Sequence, residues 1–112
     1  MNPVAVASLQ LEPSPLDPGQ IVAGAPVVSQ RELWRSPDGG TATGVWQITP
    51  GEVTDTEADE VFTVIHGRAT IHVDGGPTYD VGPGDVAVLH AGDHTRWVVH
   101  ETLRKVYTVA LG

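Results

Sequence analysis

The chain has 112 residues, with 13 glycines, 9 prolines, no cysteine and a formal net charge of -8 at pH 7. This length holds one modest hydrophobic core, and the lack of cysteine excludes disulfides and thiolate chemistry. The acidic excess disfavours nucleic acid and membrane surfaces as partners, because both are negatively charged. No apolar run is long enough to span a membrane and Met1 to Gln10 lacks a basic leader, so we predict a cytoplasmic protein.

The first predicted element is an extended N-terminal arm over residues 1–26. Residues 11–26 are rich in proline and glycine but include the apolar anchors Leu11, Leu16, Ile21 and Val22. We therefore expect an ordered arm with short β pairings, which crosses a sheet edge or reaches a partner subunit.

A single barrel domain is predicted over residues 27–112. Short runs rich in β-branched residues alternate with turn sequences such as Gly82-Pro83-Gly84-Asp85. This pattern predicts an all-β sandwich or closed barrel. The predicted strands cover residues 27–34, 41–49, 60–66, 68–73, 77–81, 85–90, 94–99 and 104–111.

Glu60 begins a strand in which it shares a face with Phe62 and Val64. An unpaired charge in such a setting is costly, so we expect this carboxylate to be paired, bound to a metal or neutral. The preceding acidic residues are predicted to form a solvated loop that leads into the strand. They are Glu52, Asp55, Glu57 and Asp59.

The step from Glu60 over six residues to Gly67 resembles the second half of the first cupin motif. In cupins two histidines and this glutamate usually hold a divalent metal, and the motif places Thr54 and Thr56 where the histidines would stand. From Gly84 onward the chain resembles the second cupin motif, with Thr95 at the position of its metal histidine. The resemblance implies a double-stranded β-helix, or jelly-roll barrel, of the cupin type.

A narrower resemblance covers residues 33–109. The segments Gly44 to Gly51, Gly82 to Asp85 and Glu101 to Tyr107 are similar to small single-domain cupins akin to (S)-ureidoglycine aminohydrolase. That enzyme uses two cupin domains and a manganese site whose histidines this chain lacks. The resemblance therefore implies the fold and leaves the reaction undetermined.

No metal cofactor is predicted, because three threonine hydroxyls and one carboxylate are a poor donor set for Mn, Fe or Zn. A shift of the motif frame by one residue would instead present Asp55, Glu60 and His94 to a divalent ion. That shift also turns the side chains to the opposite face of the strand, so the metal site is the disfavoured alternative.

The face that carries Glu60 predicts a pocket with aromatic walls and a Glu60 to Lys105 ion pair. Candidate catalytic residues are Glu60, Lys105 and Tyr107, with His90 and His94 near the barrel mouth as further acid or base groups. The alternative is a filled barrel in which the tryptophans are core. The candidate ligand-binding residues are Trp46, Thr54, Thr56, His90, His94, Thr95 and Trp97.

The leading functional hypothesis is a metal-independent small-molecule site, either binding or enzymatic. One alternative is a metal-dependent cupin enzyme that uses Asp55, Glu60 and either His90 or His94. The other is an accessory cupin with a plugged barrel. The family resemblance and the need to cover sheet edges predict a homodimer.

Overall fold

The computed structural model describes residues 2–112, and it is built almost entirely of antiparallel strands. The predicted all-β barrel is therefore confirmed. The strands are β1 Glu12–Pro13, β2 Ile21–Ala23, β3 Val28–Arg35, β4 Thr41–Ile48, β5 Gly51–Thr56, β6 Glu60–Val73, β7 Thr78–Val81, β8 Val86–Leu89 and β9 His94–Ala110, with a short 3₁₀ turn at Pro18–Gln20.

Strand β9 organises the sheet. Its first half pairs with β5 and its second half pairs with β4 along one edge, while β6 pairs with it along the other edge. Register shifts between Val64 and Ala69 interrupt the β6–β9 ladder, and such bulges bend strands. The nine strands therefore curl around a common interior, and β7 and β8 extend the sheet from β6.

Aliphatic and aromatic side chains form one buried core inside the barrel. Ile48, Phe62, Ile71 and Leu103 are all at most 1% exposed. Ala69 and Ile71 are buried in β6 while the intervening Thr70 is half-exposed, as the alternating pattern predicts. Burial of this apolar surface supplies the main favourable contribution to folding.

Two expectations about the strands are wrong. The acidic segment is not a loop up to Glu60, because Gly51–Thr56 form β5, which pairs with both β2 and β9. In addition, the runs on either side of Gly67 join into one fourteen-residue strand, and the last two runs join into the seventeen-residue β9. Gly67 therefore lies within a bulged strand rather than at a turn.

The N-terminal arm is attached to the barrel. β1 pairs with β3 and β2 pairs with β5. Arg104 is 8% exposed, and its guanidinium donates hydrogen bonds to the carbonyl oxygens of Val6, Ala7 and Leu9. Among residues 2–112 no helix has the length and apolar character needed to cross a membrane.

Candidate functional site

A cavity of about 510 Å³ opens into the barrel, and the core residues Val53, Trp97 and Tyr107 form part of its wall. Strands β3, β4, β5 and β9 supply most of its wall, β6 supplies Glu60, and the arm supplies Leu16 and Gln20. Its chemistry comes mainly from Trp46, Asp55, Glu57, Glu60, Trp97, Lys105 and Tyr107.

The expected ion pair between Glu60 and Lys105 is present. The Lys105 Nζ lies 2.6 Å from the Glu60 Oε2, and the two side chains are 7% and 14% exposed. The sheet register brings the two residues together. Lys105 pairs with Val64 of β6, the strand that begins at Glu60, and with Trp46 of β4 on its other side. A charge-assisted hydrogen bond of this length compensates part of the cost of burying both groups.

Three aromatic rings surround the Lys105 ammonium. Its Nζ lies 4.6 Å from the Trp46 ring centroid, 4.5 Å from that of Phe62 and 5.0 Å from that of Trp97. Trp46 and Trp97 meet edge to face, with centroids 5.8 Å apart. Because an ammonium is attracted to the face of an aromatic ring, the rings and Glu60 together hold Lys105 in one place.

Glu57 is a site residue that the sequence pattern did not reveal. Its Oε2 accepts a hydrogen bond of 2.7 Å from the Thr95 hydroxyl and one of 3.3 Å from the Trp97 indole nitrogen. Burial raises the pKa of Glu57, and the nearby Asp55 carboxylate raises it further. A carboxyl group with a raised pKa in a cavity is a candidate for proton transfer.

Tyr107 completes the wall beside Glu60. Burial raises the pKa of its hydroxyl, and the Glu32 and Glu60 carboxylates raise it further. The phenol therefore stays protonated at neutral pH and can donate a hydrogen bond into the cavity. At the rim, Glu32 and Arg35 form an exposed ion pair with an N–O distance of 2.6 Å.

The β5–β9 register determines the side of the sheet that each threonine faces. Asp55 pairs with Thr95, and the neighbouring pair is Val53 with Trp97, so Thr95 points to the same side as Trp97. Thr95 does not line the cavity, because its hydroxyl is buried against Glu57. Thr54 and Thr56 pair with Arg96 and His94 and lie on the opposite face. Thr54 still contributes to the cavity edge, where its carbonyl oxygen accepts a hydrogen bond from Gln20.

Neither candidate histidine lies in the cavity. His94 is exposed, and its Nδ1 lies 3.1 Å from the Thr56 hydroxyl on the outer face. His90 lines a separate shallow hollow with Asp59 and Val88, which also reaches the edge of Glu60. The structure therefore brings Glu60, Lys105 and Tyr107 together and leaves both histidines outside.

The donor groups do not fit a metal centre of the usual cupin type. Hydroxyls occupy the positions where cupins carry histidines, and the Glu60 carboxylate is engaged by Lys105. Within residues 2–112 no three His, Asp or Glu side chains come close enough to hold an ion. Asp55, Glu60 and His94 consequently do not form a common site.

Residues 35–107 match the family model of the EutQ-like cupin domain. The chain belongs to the EutQ-like cupin family. The coarser part of the sequence resemblance, to cupins, is thereby confirmed. No curated protein matches this cupin closely enough to indicate an activity.

Solved structures of similar fold include proteins with several different names. A protein of unknown function from Pseudomonas syringae, of the DUF861 family, is 26% identical with a TM-score of 0.82 over 92% of this chain and 45% of its own. Ectoine synthase from P. lautus is 25% identical with a TM-score of 0.64, covering 74% and 63%. The EutQ protein of Clostridium difficile is 20% identical with a TM-score of 0.66, covering 77% and 64%. This cupin therefore spans less than two thirds of the length of each.

Proposed function

We propose that this cupin binds a small molecule in its barrel cavity without a metal ion. The observation that carries the proposal is the cavity of about 510 Å³, which places a buried Glu60–Lys105 pair beside two tryptophans. Small-molecule sites are usually concave and mostly apolar, with a few convergent polar groups. The cavity has a suitable volume and aromatic walls, and its lining is richer in polar and charged groups than that of a typical site.

Each polar group has a distinct role in the proposed site. Glu60 fixes the Lys105 ammonium by accepting one of its three N–H donors, which leaves the others free for a ligand oxygen. The Tyr107 hydroxyl donates a second hydrogen bond from the adjacent wall. Glu57 lies at the far side of Trp97 and can take up or deliver a proton.

The resemblance to ureidoglycine aminohydrolase is a finer hypothesis within this proposal. The family and its solved relatives support a cupin barrel, and ectoine synthase shows that an enzyme can have this fold. An aminohydrolase reaction here would have to proceed on Glu57, Glu60, Lys105 and Tyr107, because threonines stand at the histidine positions.

Tryptophan fluorescence can test ligand binding directly. In a Trp34→Phe background, which removes the one tryptophan that is 51% exposed, the remaining signal comes from Trp46 and Trp97 in the cavity. Titration with small carbonyl and ureido compounds should quench or shift this signal. Glu60→Gln should weaken binding by about tenfold, since it removes the charge that orients Lys105.

The matched control is Glu101→Gln, which changes an exposed carboxylate on the outside of the barrel. It should leave the titration unchanged. If no compound alters the fluorescence, or if Glu60→Gln changes neither binding nor stability, the pocket proposal is wrong. Elemental analysis after purification without chelators tests metal independence, and one equivalent of bound Mn, Fe or Zn would contradict it.

A further inference from the structure

We infer that the ligand of this cavity carries a positively charged nitrogen, such as a protonated amine. The inference rests on the proposed function and specifies the class of ligand. The cavity wall contains four carboxylate residues and only two basic residues. The carboxylates belong to Glu32, Asp55, Glu57 and Glu60, and the basic groups belong to Arg35 and Lys105.

Both basic groups are already paired with carboxylates inside this set. Lys105 is 2.6 Å from Glu60, and Arg35 is 2.6 Å from Glu32. A carboxylate or phosphate ligand would therefore meet basic groups whose charge a carboxylate already balances, and it would also meet the remaining acidic groups. The cavity therefore disfavours anionic ligands.

Asp55 and Glu57 form the unpaired part of the wall. Within residues 2–112 neither has a basic group within ion-pair distance. The hydrogen bonds to Glu57 reach only its Oε2, and those to Asp55 reach only its Oδ1. One oxygen of each carboxylate thus accepts no hydrogen bond from the protein. An ammonium group has three N–H donors, so it can donate to the Asp55 oxygen and to the Glu57 oxygen.

The aromatic wall favours the same class of ligand. Trp97 lies between the Glu57 carboxylate and the Lys105 ammonium, since its indole nitrogen contacts Glu57 and its ring lies beside Lys105. The rings already stabilise one ammonium at 4.5 to 5.0 Å. A ligand with an amine and a short apolar body can place its charge at Asp55 and Glu57 and its body against Trp46.

Three probes of similar shape and different charge test this inference: phenethylammonium, phenethyl alcohol and phenylacetate. The indole N–H resonance of Trp97 in a ¹H–¹⁵N spectrum of the Trp34→Phe protein reports binding, because that group contacts Glu57. At a pH where Glu57 is ionised, phenethylammonium should bind at least about tenfold tighter than the alcohol. Phenylacetate should bind more weakly than the alcohol.

Glu57→Gln and Asp55→Asn each remove one charge at nearly constant shape, and each should reduce the preference for the amine by several fold. Glu101→Gln, on the outer surface, should not change it. Equal or tighter binding of the alcohol or of phenylacetate would overturn the charge inference and leave the proposed cavity function intact. If none of the three probes shifts the Trp97 resonance, the charge inference fails, and the proposed function then fails as well if the carbonyl and ureido titration also gives no signal.

Discussion

Lys105 is the residue on which the site depends. Its side chain is 7% exposed and extends along the sheet from β9 to Glu60 at the start of the neighbouring strand β6. Sequence reasoning could predict this pair, because the motif spacing marks Glu60 and strand alternation puts Lys105 on the same face. The aromatic rings around the ammonium fix its position, and a fixed charge is a better ligand anchor than a mobile one.

Replacement of Lys105 by Met should lower the free energy of unfolding by about 3 kcal/mol, because it leaves the mostly buried Glu60 carboxylate without a partner. Urea denaturation at neutral pH measures the change. Adding Glu60→Gln to the Lys105→Met protein should recover a large part of the loss. If the double variant is as unstable as the sum of the two single variants, the pair does not act as a unit.

Glu57 predicts a pH dependence of stability. Burial raises its folded-state pKa above the ordinary value of 4.5, so the folded protein holds this proton more tightly than the unfolded chain does. Thr95, Trp97 and Lys105 favour the charged form, but they do not outweigh the burial and the charge of Asp55. The associated stability is present below pH 4.5 and is lost as the pH rises through the folded-state pKa.

The Glu57→Gln protein should therefore gain stability relative to the wild type as the pH rises through this window. Urea unfolding at a series of pH values gives the difference, and ¹³C titration of the Glu57 carboxyl gives its pKa directly. Glu101→Gln is again the matched control. A constant difference between Glu57→Gln and the wild type at all pH values would contradict the raised pKa.

Sequence reasoning could not separate Glu57 from its acidic neighbours. The four carboxylates from Glu52 to Asp59 look equally solvated when the segment is taken as a loop. Only the β5–β9 register and the turn after Thr56 direct Glu57 towards Thr95 and Trp97. The contact is between residues about 40 positions apart, and local patterns do not encode such contacts.

At the scale of elements, β5 shows how tertiary pairing overrides composition. The segment Gly51–Thr56 has two acidic residues and only one large apolar one, Val53. It forms a strand because Val53 is buried opposite Trp97 and because β2 and β9 satisfy its backbone groups on both sides. Most other strands could be predicted, since their alternation is clear and glycine or proline separates them.

Gly67 permits the long β6 strand to bend without breaking. It has φ +87°, and a Cβ at this position would overlap the Thr102 carbonyl oxygen and the Leu103 Cα of β9. This overlap is a physical reason why the residue that ends the six-residue step after Glu60 is glycine. The same residue marks a turn in the sequence pattern and a bulge in the structure.

Gly67→Ala should destabilise the barrel more than Gly75→Ala does. Both glycines have positive φ, but a Cβ at Gly75 has no atom within 4 Å. Gly75→Ala should therefore lower the free energy of unfolding by only about 1 kcal/mol, from backbone strain. Gly67→Ala should add about 1–3 kcal/mol from overpacking, and thermal unfolding of both variants measures the difference. Equal effects would show that β6 and β9 can separate at the bulge.

At the scale of the whole molecule, the arm and the barrel form one unit. Leu16 packs against the core, and Gln20 donates hydrogen bonds to Thr54 and Asp55 at the cavity edge. The predicted boundary at residue 26 therefore does not separate the arm from the site.

Cytoplasmic location and the homodimer stay predictions, and sedimentation velocity would show whether the mass exceeds the 11.8 kDa of one chain.

Arg104→Met should loosen the arm. The change keeps an apolar stem but removes every donor to the carbonyls of Val6, Ala7 and Leu9, so we expect a loss of about 1–3 kcal/mol. Hydrogen exchange should also become faster in residues 5–10. Arg68→Met, which removes an exposed cation on the outer face, should change neither measurement appreciably. Unchanged exchange in Arg104→Met would mean that other contacts hold the arm.

The Arg104 contacts have a consequence for how this region tolerates substitution. A guanidinium that binds main-chain carbonyls does not depend on the side chains of the residues that supply them. Substitutions at positions 6–9 should therefore leave the Arg104 contacts in place, provided that the backbone path and its length are kept. A one-residue deletion there should destabilise the protein more than any single replacement except proline, because it moves the carbonyl oxygens out of reach of the Arg104 guanidinium.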